Sequence, residues 1–145
     1  MSKTNTWENG LLLLVFNNTD FTGVGDAGGL RGSATAGSFY ISLHTADPGE
    51  TGDQTTSEIA YTSYAREALA RSGSAFTVTA DAVALAADLP FTEGTGGSGT
   101  ATHFGIGTAP SGAGKLLYKG ALSPTIVCGS GVTPVIKAGT IVTEA

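Results

Sequence analysis

A chain of 145 residues with 41% hydrophobic content has the size of one domain and enough apolar mass for a core without disulfide or metal staples. Its formal net charge of −5, with seven basic residues scattered singly, speaks against nucleic-acid binding and leaves no polybasic stretch for an anionic membrane. Twenty-two glycines and only 13% charged residues turn the expectation toward turns and sheets and away from a soluble enzyme.

The first predicted element is the one good helix, Asn5–Asn17. Asn5 or Thr6 serves as its cap, and Glu8 in the first turn favours the helix dipole. Trp7, Leu11, Leu14 and Val15 recur at helical spacing on one face, while Leu12, Leu13 and Phe16 spread apolar surface further round. So wide a stripe implies burial on two sides, one against the protein's own sheet and one against a neighbouring subunit; packing on the chain alone is the alternative. The run Leu11–Phe16 is far short of the roughly 20 residues of a bilayer span. No small-residue cleavage site precedes Asn17-Asn18-Thr19, so the protein is expected to be made and assembled in the cytoplasm.

Thr19–Gly37 reads as a Gly, Asp and Ser loop anchored by Leu30. In Ser38–Thr45, Phe39, Ile41 and Leu43 alternate with Tyr40, Ser42 and His44, the period of a half-buried strand. Asp47-Pro48-Gly49 ends that strand, because proline cannot donate to a ladder and glycine accepts unusual backbone angles. An acidic loop follows. Further strands are expected at Tyr64–Ala70, Phe76–Thr79, the alternating run Val83–Phe91, Thr102–Gly107 and Lys115–Leu122, with Gly94–Thr100 a flexible loop. A last hairpin joins Thr125–Cys128 to Val132–Lys137 through Gly129-Ser130-Gly131, and Ile141–Thr143 adds an edge. Seven or eight short strands imply a mainly β fold, an antiparallel β-sandwich or barrel-like body with an N-terminal helix. Residues 1–37 form the helix and Gly-rich arm, and residues 38–145 the β body.

Chemistry-bearing motifs fail on inspection. Gly23-Val24-Gly25-Asp26-Ala27-Gly28 has the spacing of a dinucleotide fingerprint but follows a helix instead of a strand. Gly112-Ala113-Gly114-Lys115 lacks the first glycine and the Ser or Thr of a phosphate loop, having Ala109 and Leu116 there. His44 and His103 are the only histidines, and a zinc site would need both plus carboxylates. The lone Cys128 allows no intrachain disulfide and reads as a small buried hydrophobe in a strand. Asp47, Glu50, Asp53 and Glu58 offer oxygen ligands without the spacing of a calcium loop, so the reading is a solvated or partner-facing acidic loop, with Arg66, Arg71 or a neighbouring subunit's arginine as counter-charge. Tyr40, Tyr61, Tyr64 and Tyr118 are dispersed and read as core-edge residues with hydroxyls at the rim. No catalytic residue, cofactor site or metal site is assigned.

Three blocks, Ser33–Arg66 with its Leu-His-Thr-Ala-Asp-Pro-Gly-Glu stretch, Gly96–Leu122 and Val132–Ile141, together with Glu8–Asp20, resemble a family of small virion proteins of tailed bacteriophages, tail-fibre-like or structural. The resemblance implies a non-enzymatic structural protein of the virion. A compact body of this size, without coiled-coil heptads or a collagen-like period, cannot reach far as a fibre, so capsid decoration (cement) is the first expectation. Tail-fibre or tail-tip protein contributing to host-receptor binding is the second, through exposed tyrosines and the loops Thr92–Thr100 and Asp47–Glu58. The expected partners are the major capsid protein or other virion subunits and further copies of the chain, as a trimer or dimer, with no direct nucleic acid and no membrane. The expected partner contacts are Trp7, Leu11, Leu14, Phe16, Asp47, Glu50 and Asp53.

Overall fold

The structure, a computed structural model, describes residues 2–143. Among them strands hold about 40% of the chain and helix 9%, so the fold is mainly β, in several antiparallel sheets without a closed barrel. The chain divides into two compact units. Among the described residues one comprises 2–38, 70–88 and 137–143, the other 39–69 and 89–136.

In the first unit the helix α1 (Asn5–Asn17) spans the expected range. Its N-cap is Thr4, which makes no side-chain capping bond, in place of Asn5 or Thr6. Asn18 closes it in the left-handed conformation, with Thr19 N–H donating to Leu13 O at 3.1 Å. The fully buried stripe is Leu12 and Phe16, one turn apart, while Leu11, Leu14 and Val15 are only half-buried. Phe16 meets Phe76 edge-on, ring centroids 5.1 Å apart. Phe76 belongs to β3 (Phe76–Thr79), which pairs with β4 (Ala82–Leu85), which pairs in turn with β9 (Ile141–Thr143), all antiparallel. Arg71 closes the end of the helix: Nη2 donates to Leu14 O at 2.7 Å, Nε to Val15 O at 2.6 Å and Nη1 to Ala36 O at 3.0 Å. The Leu14 and Val15 carbonyls are among those a helix leaves without intrahelical partners.

The second unit is built on a sheet of order β2 (Glu67–Ala70), β1 (Ser38–His44), β6 (Ser98–Gly107), β7 (Leu116–Gly129), the unit boundaries falling at the ends of β1 and β2. Directly opposed residues of an antiparallel pair share a face. The register Ile41↔Ile106 and Leu43↔Phe104 therefore makes one apolar face, and Ser42↔Gly105 with His44↔His103 the other. The period alone marks the strand as half-buried, yet Ser42 and His44 on this second face are fully buried as well. The cover is the Thr45–Ser57 loop, which closes on itself through Thr45 N–H to Ser57 O at 2.8 Å and lies back over the strands.

Two other expectations change. The Val83–Phe91 alternation is not one strand: β4 stops at Leu85, and Leu89–Pro90 is β5 in a different sheet. At the exit the Asp88 carboxylate accepts from Ala138 N–H at 2.8 Å and from Lys137 Nζ at 2.7 Å. Nor does Thr125–Cys128 form a hairpin with Val132–Lys137. It is the end of β7, paired with β6, while β8 (Val135–Ile136) pairs with β5 and Pro134 O accepts from Phe91 N–H at 2.8 Å. The turn at Gly129 exists, but it delivers the chain to Gly94, whose N–H donates to Val132 O at 2.9 Å. Gly94–Thr100 is accordingly tied down, with Thr62 N–H on Gly96 O, and its last residues begin β6.

Candidate functional site

The Thr45–Ser57 loop is the most heavily anchored irregular segment, and its anchors explain the polar residues beneath it. His44 Nδ1 lies 2.8 Å from Thr56 O and its Nε2 lies 2.8 Å from Ser42 Oγ, so the buried imidazole is satisfied at both nitrogens. Burial is the first cause holding its pKa below the usual histidine value; the Thr56 carbonyl and Glu58 oppose it. A serine beside a histidine has the look of a nucleophile and its base. Both residues are fully buried, so this pair holds a loop to a sheet. Gln54, also fully buried, accepts from Ala109 N–H at 2.9 Å and donates from its own backbone N–H to Ala113 O at 2.9 Å. Its amide occupies the space over Gly107, where a Cβ would collide with it.

The acidic residues divide by task. Asp47 and Glu50 receive Lys119 Nζ at 2.9 and 3.2 Å. The Asp47 carboxyl is held below its usual range by the Gly49 N–H first and by Lys119 second. Asp53 accepts from Thr55 Oγ1 at 2.6 Å and Thr55 N–H at 2.8 Å, capping its own turn, and is likewise lowered. Glu58 takes a bidentate pair from Arg66, at 2.6 Å to Nε and 2.7 Å to Nη2, and also accepts from Tyr64 Oη at 2.9 Å. Arg66 is thus the counter-charge expected for this loop. Arg71 serves the helix instead, and Lys119 had no signal in the sequence because it arrives from strand β7. Among the described residues no three His, Cys, Asp or Glu side chains gather closely enough to hold a metal ion.

Of the apolar residues expected at a partner, Phe16 is fully buried against Phe76, and Leu11 and Leu14 are half-buried. Trp7 is the one that reaches the surface, 38% exposed and tilted against Phe21 at 5.5 Å between centroids. Of the tyrosines expected at the core edge, Tyr61 lies inside and gives its hydroxyl to Thr92 O at 2.8 Å, while Tyr64 is half-buried between Tyr61 and Phe91. Burial pushes the Tyr61 pKa up to about 12. Cys128 is buried in β7 as expected, its thiol pKa raised by desolvation. No described helix is long and apolar enough to cross a membrane.

Side chains spent on pinning loops to short antiparallel sheets define a small, mainly β protein. Residues 2–144 match the family described as podophage GP4 fiber I protein gp80, and the chain belongs to that family of phage virion proteins. No curated protein matches it. The order of the two sequence expectations is therefore reversed: the family is one of fibre proteins, and capsid decoration falls behind.

Proposed function

We propose that this protein is a non-enzymatic component of the podophage tail fibre, assembled in the host cytoplasm, that joins other virion subunits and helps present a surface to the host. The observation that carries this reading is the fibre-family match over residues 2–144, nearly the whole chain. The earlier objection, that so short a chain cannot reach far, assumes that it must make the whole fibre. A subunit joined to other subunits has no such duty. The buried and saturated state of Ser42 and His44 supports a structural role, because that serine–histidine pair has no access to a substrate. Self-association into a trimer or dimer is part of the proposal, since virion appendages are built from repeated subunits in closed symmetry.

Immunogold labelling of intact virions with antibody to this chain tests it, together with copy number by quantitative mass spectrometry. Label on the tail with few copies per particle is the expected result. Label spread over the head with copies in proportion to the capsid lattice would overturn the fibre reading. Light scattering on the purified protein tests self-association, and a concentration-independent monomer would remove that part.

A further inference from the structure

Between α1 and the segment Asp20–Thr22 the first unit carries an open groove of about 650 Å³, within the usual size range of small-molecule sites. We infer that this groove binds a neutral saccharide. Its lining includes the apolar Leu13 and Phe21 and the polar Asn5, Asn9, Asp20 and Thr22. A sugar presents hydroxyls that both donate and accept, and amides, carboxylates and hydroxyls answer both roles. Its C–H faces match an aromatic ring. No Lys or Arg lines the groove, so a phosphate or an acidic sugar would meet Asp20 without a counter-charge. Charge thus selects the neutral ligand.

Two of these polar groups are also fixed before any ligand arrives. Asn9 Nδ2 donates to Ala80 O at 3.1 Å, and Asp20 Oδ1 accepts from Gly32 N–H at 2.8 Å. Each bond orients its group and uses one atom of it, leaving the amide oxygen of Asn9 and the second carboxylate oxygen of Asp20 outside it. Gly10 stands inside the helix, where glycine is unfavourable. A Cβ at that position would collide with the Phe21 ring, so the missing side chain is what seats the ring against α1. Trp7 then packs on Phe21 from the exposed side. A helix weakened by a glycine in order to place an aromatic ring on a polar groove is readily understood if the ring is used.

The inference rests on the host-contact reading only for its biological occasion. Virion labelling on the head would refute that reading and leave the binding experiment intact. Trp7 is the only tryptophan, beside the groove, and serves as the reporter. The full chain is titrated with glucose, galactose, mannose and N-acetylglucosamine and with disaccharides of each, following Trp7 emission and ¹⁵N–¹H NMR. The expected result is a saturable response to at least one of them, with amide shifts concentrated at Asn9, Gly10, Asp20 and Thr22. Asn9→Ala and Asp20→Asn should each weaken that binding roughly threefold to tenfold, as for one hydrogen bond lost, while Thr133→Ala on the exposed surface of the second unit leaves it unchanged. The absence of saturation with every neutral sugar, shifts confined to residues outside the groove, preference for glucuronic or sialic acid, or a change that tracks protein concentration alone would each overturn it. The wild-type shift map stands even if a variant fails to fold.

Discussion

Arg66 is the residue whose loss should cost the second unit most. Its side chain is 2% exposed and that of its partner Glu58 17%. Beyond the bidentate pair it donates from Nη1 to Ala109 O at 3.0 Å and from Nη2 to Gly112 O at 2.8 Å, so one guanidinium ties the acidic loop to the β6–β7 connection. Glu58 in turn holds Arg66's pKa above its ordinary value. Arg66→Met keeps most of the apolar stem but strands a largely buried carboxylate with only the Tyr64 hydroxyl. Breaking such a pair on one side costs about 3–5 kcal/mol, a large share of the roughly 5–15 kcal/mol that holds a domain folded. Adding Glu58→Leu removes the stranded charge and should recover about half of the loss, the remainder being the lost bonds to the Ala109 and Gly112 carbonyls at about 0.5–1.5 kcal/mol each. Trp7 lies in the other unit, so tryptophan fluorescence is a poor reporter here. Urea unfolding followed by far-ultraviolet circular dichroism gives the total. Exchange of the Leu43 amide, whose N–H donates to Tyr64 Oη at 3.1 Å, reads the site itself. A loss under about 1 kcal/mol, the worth of an exposed pair, or a double variant no more stable than the single, would refute this reasoning.

Three further outcomes are expected. His44 is neutral in the fold, while the unfolded chain takes up a proton below its ordinary pKa of 6.5. Stability is therefore full above pH 6.5, declines as pH falls from there to the lowered folded pKa, and stops declining below it. His44→Gln should abolish this step in an acid titration of the urea midpoint, and an identical step in the variant would assign it elsewhere. The depressed carboxylates Asp47, Asp53 and Asp88 act separately, at pH values below their ordinary 3.8. Arg71→Ala removes the ties to Leu14 O, Val15 O and Ala36 O and should destabilise the first unit by about 2–3 kcal/mol; Trp7 emission during urea unfolding measures it, and an unshifted midpoint would count against it. Gly107→Ala drives a methyl into the Gln54 amide and should cost about 1–3 kcal/mol by circular dichroism, whereas unchanged stability would mean that Gln54 moves freely aside.

Local pattern was legible where an element's own residues decide it. The helix ran as expected because Asn5–Asn17 contains no proline, and β3 and β9 matched residue for residue. The helix's buried face did not follow from spacing, because seven apolar residues in thirteen leave several stripes equally plausible, and Phe76 selects the one through Leu12 and Phe16. The Val83–Phe91 run misled for a related reason. Alternation survives a change of sheet, and where the run divides a carboxylate reaches residues 137 and 138. Lys119 and Gln54 were missed because the Asp47 carboxylate that Lys119 meets and the Ala109 amide that Gln54 meets lie more than fifty residues away from them, beyond any local window.

The face carrying Ser42 and His44 shows why polarity alone could not locate solvent. Polar alternation on a strand is ordinarily read as an exposed face. A face covered by a loop looks the same, because the loop brings peptide groups that must be bonded and the residues beneath must supply partners. His44 meets the Thr56 carbonyl, and Gln54 from the loop meets the Ala109 amide. The sequence did hold a separate mark of this arrangement. Gly105 and Gly107 are two apart in β6, so they present two positions without Cβ on one face, opposite Ser42 and Tyr40. Added Cβ atoms would strike Ser42, His44 and Leu116 at the first and Gln54 at the second. Paired glycines in a strand of apolar neighbours thus mark a close approach from above, and here they separate a loop-covered face from an open one. A loop held so closely by buried hydrogen bonds moves little, which is what a subunit needs if it is to offer neighbouring subunits or a host surface an unchanging shape.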